Sequence, residues 1–130
     1  MDLQPAFKLI PGLSSSYSFF RGMAISMRAN NERFQELAQR VTFLEDFVLK
    51  IQANGLDRKS HSVKNALEDL SRTLENTRRW MRKYSKFSRM KKVLKCAKYA
   101  DRINYFERKL SDCFMFLSGN VMSTLGNEMV

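Results

Sequence analysis

FQELAQRVTFLEDFVLKI, residues 34–51, places Phe34, Leu37, Val41, Leu44, Val48 and Ile51 at alternating three- and four-residue intervals. That is the helical period, and it draws one apolar stripe along an otherwise polar rod. Just upstream, Asn30 and Asn31 offer side-chain oxygens suited to a helix start. Downstream, Asn54-Gly55 is the kind of pair that ends a helix, because glycine accepts the left-handed conformation without steric penalty.

Reading outward, the same logic yields further helices. Ser14 to Ser16 are candidate caps for a helix running to about Arg28, after a mixed apolar segment over 1–13 that Pro11-Gly12 punctuates. Ser60 or Ser62 can open the next one, in which Val63, Leu67, Leu70, Leu74, Thr77, Met81 and Tyr84 mark one face. KFSRMKKVLKCAK, residues 86–98, is less regular and reads as a short helix or ordered turn. Ile103, Phe106, Leu110, Cys113, Leu117 and Val121 then define a last helix ending near Gly126. The expected class is all-α: an antiparallel four-helix bundle over 14–126, with a short extra helix between the third and last long helices.

Composition agrees with this reading. At 130 residues one core is expected, and two prolines and five glycines are too few for a many-turned β fold. Cys96 and Cys113 have neither the close spacing nor the histidine neighbours of a metal or disulfide framework, so reduced thiols and a cytoplasmic setting are expected. The first twenty residues lack a basic start followed by an unbroken apolar run, so no signal peptide is expected. No window reaches about twenty apolar residues, the length of a conventional membrane span.

Charge is where the chain departs from the ordinary. The formal net charge is +10, from 23 Lys and Arg against 13 Asp and Glu. Residues 1–77 hold ten bases and nine acids, and residues 99–130 hold three and four. The segment RRWMRKYSKFSRMKKVLKCAK, residues 78–98, holds ten bases and no acid, so it carries the whole excess. Trp80, Met81, Tyr84, Phe87, Met90, Val93 and Leu94 lie among those bases at roughly helical spacing. Three partners fit a basic amphipathic surface. Anionic lipid attracts each nearby base by about 1 kcal/mol. Calmodulin or another acidic protein could take Trp80, Tyr84, Phe87 and Val93 as groove anchors. Nucleic acid could use the same charges through phosphate contacts, but no docking motif accompanies them, and it ranks third. Against all three stands a solvated helix face whose apolar members belong to the core.

Enzyme chemistry finds no footing. His61 stands between two serines near a helix start, no His, Cys and carboxylate cluster suggests a metal, and no glycine-rich phosphate loop or nucleophile elbow is present. Neither a catalytic residue nor a cofactor is expected.

The segments NERFQELAQRVTFLEDFVLKIQ, SVKNALEDLSRTLENTRRWMRK and INYFERKLSDCFMFL resemble the successive helices of the N-terminal bundle of mixed lineage kinase domain-like proteins. The likeness covers about residues 14–120, and its most specific pieces are Arg40-Val41, the Ala66-Leu67…Leu70…Leu74-Glu75 helix and Arg108-Lys109-Leu110-Ser111-Asp112. More broadly the chain is similar to the HeLo-type cell-death bundles. The resemblance implies a regulatory domain, here in the same chain, that restrains the bundle. Activation would drive self-association and contact with anionic phospholipids, phosphoinositide or cardiolipin. The result would be membrane permeabilisation and necroptosis-like death in innate immunity, with movement from cytoplasm to the plasma membrane or another anionic membrane.

One departure matters. The family is known for bases on its first two helices, whereas the first helix here holds only Arg21 and Arg28. The expected headgroup contacts are therefore taken from local charge: Arg78, Arg79, Arg82, Lys83, Lys86, Arg89, Lys91, Lys92, Lys95 and Lys98. The apolar N-terminal residues Leu3, Phe7, Leu9, Ile10, Leu13, Phe19 and Phe20 are candidates for membrane insertion, with burial against the bundle standing beside that reading. The alternative function is an adaptor-like interaction bundle whose basic helix binds an acidic protein or calmodulin.

Overall fold

The computed structural model describes residues 11–129, with side chains for Ser18 and residues 21–127. Among them every element is a helix: α1 (Pro11–Asn54), α2 (Leu56–Lys59), α3 (His61–Lys86), α4 (Arg89–Leu94) and α5 (Cys96–Met129). The all-α expectation holds. The count of long helices is three among the described residues, because the two helices expected over 14–28 and 30–54 are one continuous rod.

The missing break has a physical cause. Asn30 and Asn31 lie inside α1 and spend their amides on other helices instead of on a cap. Asn30, buried, donates from Nδ2 to the Cys96 carbonyl at 2.7 Å. Asn31 Oδ1 accepts from the Tyr84 hydroxyl at 2.6 Å. Pro11, Gly12 and the serines expected as caps also lie within α1. Leu3, Phe7, Leu9 and Ile10 fall outside the described residues, and so do the side chains of Leu13, Phe19 and Phe20.

Other boundaries follow local chemistry. Gly55, at φ 72°, closes α1 by donating to the Gln52 carbonyl at 3.1 Å. Ser60, in extended conformation, caps α3 by accepting from the Val63 amide at 3.3 Å. Phe87 is extended, and Ser88 then caps α4 by accepting from the Lys91 amide at 3.1 Å. The short extra helix is therefore present where it was expected, while α5 opens earlier, at Cys96, and continues to Met129.

Side-chain pairs fix the directions. Thr73 meets Cys113, Trp80 meets Phe106 and Phe87 meets Tyr99, so α3 and α5 run antiparallel. Arg33 meets Glu107, Arg40 meets Ser111 and Phe47 meets Phe114, so α1 and α5 run parallel. Asn31 meets Tyr84 and Glu45 meets Arg78, which makes α1 antiparallel to α3. The core fills the space between these three, with Leu37, Val41, Val63, Leu70, Ile103, Leu110 and Leu117 almost fully buried. Thr73 and Thr77 are buried beside them and satisfy their hydroxyls on carbonyls one turn back, at 2.9 and 2.7 Å.

One end of the core is aromatic. Phe34 stacks on Tyr84 at 4.7 Å between centroids, Trp80 lies 5.3 Å from Tyr84 and 5.6 Å from Phe106, and Phe87 stacks on Tyr99 at 5.2 Å. Burial pushes the phenols of Tyr84 and Tyr99 above their ordinary value of 10.0.

Two stability predictions follow from this packing. Leu70→Ala, at a site with 0% exposure, should lower unfolding free energy by about 2–5 kcal/mol in urea titrations. A buried phenol keeps its proton to higher pH than the same phenol in the unfolded chain, so stability is level below about pH 10 and falls as pH rises past it. Tyr99→Phe should flatten that alkaline fall by up to about 1.4 kcal/mol per pH unit, read from urea midpoints of both proteins at matched pH.

Candidate functional site

The basic segment wraps one end of the bundle. It comprises the last turns of α3, the whole of α4 and the first turn of α5, so the ten expected headgroup contacts lie on three elements rather than along one helix. The aromatic core described above lies beneath them. Trp80 is 9% exposed and Tyr84 1%, and Phe87 is half-buried against Tyr99. Trp80, Tyr84, Phe87 and Val93 were offered as groove anchors; Trp80 and Tyr84 are core residues and Phe87 and Val93 are half-buried, which favours the other reading, in which the apolar members belong to the core. A partner that needed Trp80 and Tyr84 as groove anchors would have to dismantle the core first, which removes the structural support for the calmodulin-type alternative.

The bases divide into three groups. Arg78 is held to α1 by Glu45, with Nε to Oε2 at 3.1 Å and Nη2 to Oε1 closer still. That hydrogen bond, followed by the carboxylate's charge, raises the guanidinium pKa further above its ordinary value. Arg79 pairs with Glu75 one turn earlier at 3.3 Å. Lys91 and Lys92 lay their ammonium groups over the Phe87 and Tyr84 rings, at 4.0 and 4.6 Å from the centroids. Arg82, Lys83, Lys86, Arg89, Lys95 and Lys98 are exposed and pair with no carboxylate among the described residues.

Apolar surface sits among these cations. Met90 is 72% exposed and Leu94 53%, both on α4, which has no buried residue of its own. The chain places them one turn apart, so they share a face. This detail escaped the sequence, where the apolar members of 78–98 looked equivalent. Only the fold separates those that enter the core from the two that face out.

The same end of the bundle carries the start of α1. The Asn30–Cys96 and Asn31–Tyr84 bonds place the end of α3 and the beginning of α5 level with residues 30 and 31. The α1 stretch from Pro11 to Ser26, about 24 Å at 1.5 Å per residue, therefore continues past that level. α4 packs against α1. Within this stretch Ile25 is exposed, while Met27 just beyond it is buried.

Other expected candidates resolve simply. His61 is exposed in the first turn of α3. Cys96 and Cys113 are free thiols, half-buried, with Cys113 Sγ 3.5 Å from Thr73 Oγ1. Among the described residues no group of His, Cys, Asp or Glu is placed to hold a metal ion, and no helix is long and apolar enough to cross a membrane.

Searches among curated proteins and among solved structures found no match. A family match extends over residues 22–128, spanning the whole core and the basic segment. The chain thus belongs to the mixed lineage kinase domain-like N-terminal domain family, whose members point to a necroptosis-type cell-death executioner domain.

Proposed function

We propose that this chain is a membrane-binding and membrane-permeabilising domain rather than an enzyme, acting on anionic lipid and self-associating there. The observation that carries the reading is the surface of α4. Met90 and Leu94 stand exposed between Arg89, Lys91, Lys92 and Lys95, at the end of the bundle where α1 projects. Such a surface binds a bilayer through two additive forces. The cations are drawn to headgroups by about 1 kcal/mol each, and an apolar side chain that leaves water contributes about 1.5–3 kcal/mol.

Weak contacts of this kind gain from copies acting together, because a second contact made by a tethered neighbour is effectively intramolecular. Self-association on the lipid would convert marginal attachment into lasting attachment. A fourth packed element belongs to this proposal too, with the apolar N-terminal segment packing on the three long helices or entering the bilayer. In this reading the chain resides in the cytoplasm under restraint from a regulatory domain and moves to phosphoinositide- or cardiolipin-containing membrane when released.

Dye release from liposomes tests the proposal. Neutral vesicles should stay sealed and anionic ones should leak. Changing Lys91, Lys92, Lys95 and Lys98 together to glutamate should weaken vesicle binding by at least about a thousandfold, equivalent to ~4 kcal/mol, at low salt. Equal leakage from neutral vesicles, or a variant that leaks as well as the native chain, would sink it. Trp80 emission adds a separate readout. Because its ring is in the core, docking of an intact bundle should leave the emission wavelength nearly unchanged, and a red shift would report that the bundle opens.

A further inference from the structure

We infer that Ser88 is the acceptor for a serine kinase that selects basic substrates, and that phosphate there releases the domain from anionic surfaces. The release deepens the membrane reading given above and rests on it, whereas the acceptor site does not.

Three properties coincide at Ser88. It is exposed, and with Phe87 it forms the break between α3 and α4, where φ and ψ are −63° and 156° at Ser88 and −68° and 142° at Phe87. A kinase takes its substrate as an extended chain, and that conformation is already present here. Among the residues with described side chains, every other exposed serine or threonine lies within a helix, and Ser60, the other serine in extended backbone, is half-buried.

Ser85, three positions earlier, shows what the break supplies. It is exposed, but it lies in the last turn of α3 and donates its hydroxyl proton to the Arg82 carbonyl at 2.9 Å. Ser88 Oγ accepts from the Lys91 amide at 3.1 Å, and its own proton meets no acceptor among the described residues. In the transfer, Ser88 Oγ attacks the γ-phosphorus of ATP, the hydroxyl proton passes to the kinase's carboxylate base, and ADP leaves with the electron pair of the broken P–O bond. Ser88 therefore presents a free proton and an extended main chain together.

The surroundings define the kinase class. No Asp or Glu stands between Glu75 and Asp101, and Ser88 is midway between those two. Lys83 and Lys86 precede it, Arg89, Lys91 and Lys92 follow it, and a peptide groove lined with carboxylates matches that charge where a basic groove repels it. Phe87, stacked on Tyr99 at 5.2 Å, ties the segment to the bundle. Ser85 and Lys86 are both exposed at the end of α3, so fraying there costs little and lengthens the extended stretch.

Phosphate would act on the basic surface in two ways. It adds about 1.5–2 negative charges at neutral pH. Lys91 and Lys92, three and four positions on, lie on its side of the chain and become its counter-ions, which withdraws them from headgroups.

The test treats the full chain with magnesium-ATP and the catalytic domain of protein kinase C, and locates phosphate by fragmentation mass spectrometry. One phosphate should appear, on Ser88. Ser88→Ala should abolish it, Ser88→Thr should retain it and Ser85→Ala should leave it unchanged, with circular dichroism and urea midpoints checking that each variant is folded. Phosphate placed first on Ser85 or Ser60, or none on Ser88, overturns the site. Phosphorylated and unmodified chains are then compared on phosphatidylcholine vesicles containing phosphatidylserine. At low salt, phosphate on Ser88 should weaken binding by about thirtyfold, equivalent to two headgroup contacts, and the difference should narrow as salt rises. Equal binding by the two forms overturns the release. Failure of the unmodified chain to bind these vesicles would count against the membrane reading, while the phosphate found on Ser88 still decides the site.

Discussion

The aromatic cluster where α1, α3 and α5 meet is the contact on which the rest of this molecule depends. Ten cations confined to 21 consecutive positions, 78–98, repel one another, and a helix end loaded in this way would fray without an anchor. Trp80 and Tyr84 provide one by turning into the core against Phe34, Tyr99 and Phe106. Each buried aromatic adds apolar area, and ring pairs contribute about 0.5–1.5 kcal/mol beyond it. The Tyr84 hydroxyl is satisfied by Asn31, so burying its polar atom carries no unpaired group. The charge can be concentrated because its root is fixed.

That arrangement explains how much could be read from the residues alone. The stripes of α3 and α5 were legible since each has one partner-facing side with helical spacing, and Val63, Leu67, Leu70, Ile103, Phe106 and Leu110 are all buried as expected. Gly55 and Ser60 were legible because end signals act within three or four residues. The continuity of α1 was not. Asn30 and Asn31 carry the same amides whether they cap their own helix or bind Cys96 and Tyr84, residues more than fifty positions away. Sequence-local rules contain no information on that choice. Trp80 could be placed either way for a related reason, because a helical period among bases describes both a surface stripe and a buried one with a charged rim.

The candidate interface was legible in its charge and not in its shape. Counting residues located the excess on 78–98, but only the turn at Phe87 and Ser88 divides it among three elements. The division has consequences. Arg78 pairs with Glu45 across α1 and α3. Lys91 and Lys92 are drawn over aromatic rings, and Arg82, Lys83, Lys86, Arg89, Lys95 and Lys98 remain exposed. A surface that looks uniform in composition thus contains groups with different freedom to meet an anion. Arg102, outside the basic run and unremarkable in the sequence, joins Arg79 and Lys83 only through the antiparallel seam.

Geometry also limits how such a domain can approach a bilayer. On the proposed reading the exposed pair Met90 and Leu94 would form one contact face, and α4 is only six residues long, so it offers a patch rather than a stripe. A single patch leaves the bundle free to pivot about it. The projecting start of α1 lies at the same end, and a second contact there would remove the pivot and set the long axes of the three helices at a defined angle to the membrane. Docking by the basic patch would then bring the α1 stretch to the surface before any rearrangement of the core. Opening the core requires separating Trp80 and Tyr84 from Phe34, Tyr99 and Phe106, contacts that lie at the same end of the bundle as the basic patch. On the proposed reading, lipid competing for Lys91 and Lys92 would draw them from the Phe87 and Tyr84 rings, so attachment would loosen the cover of the aromatic cluster at the point where the bundle is held together.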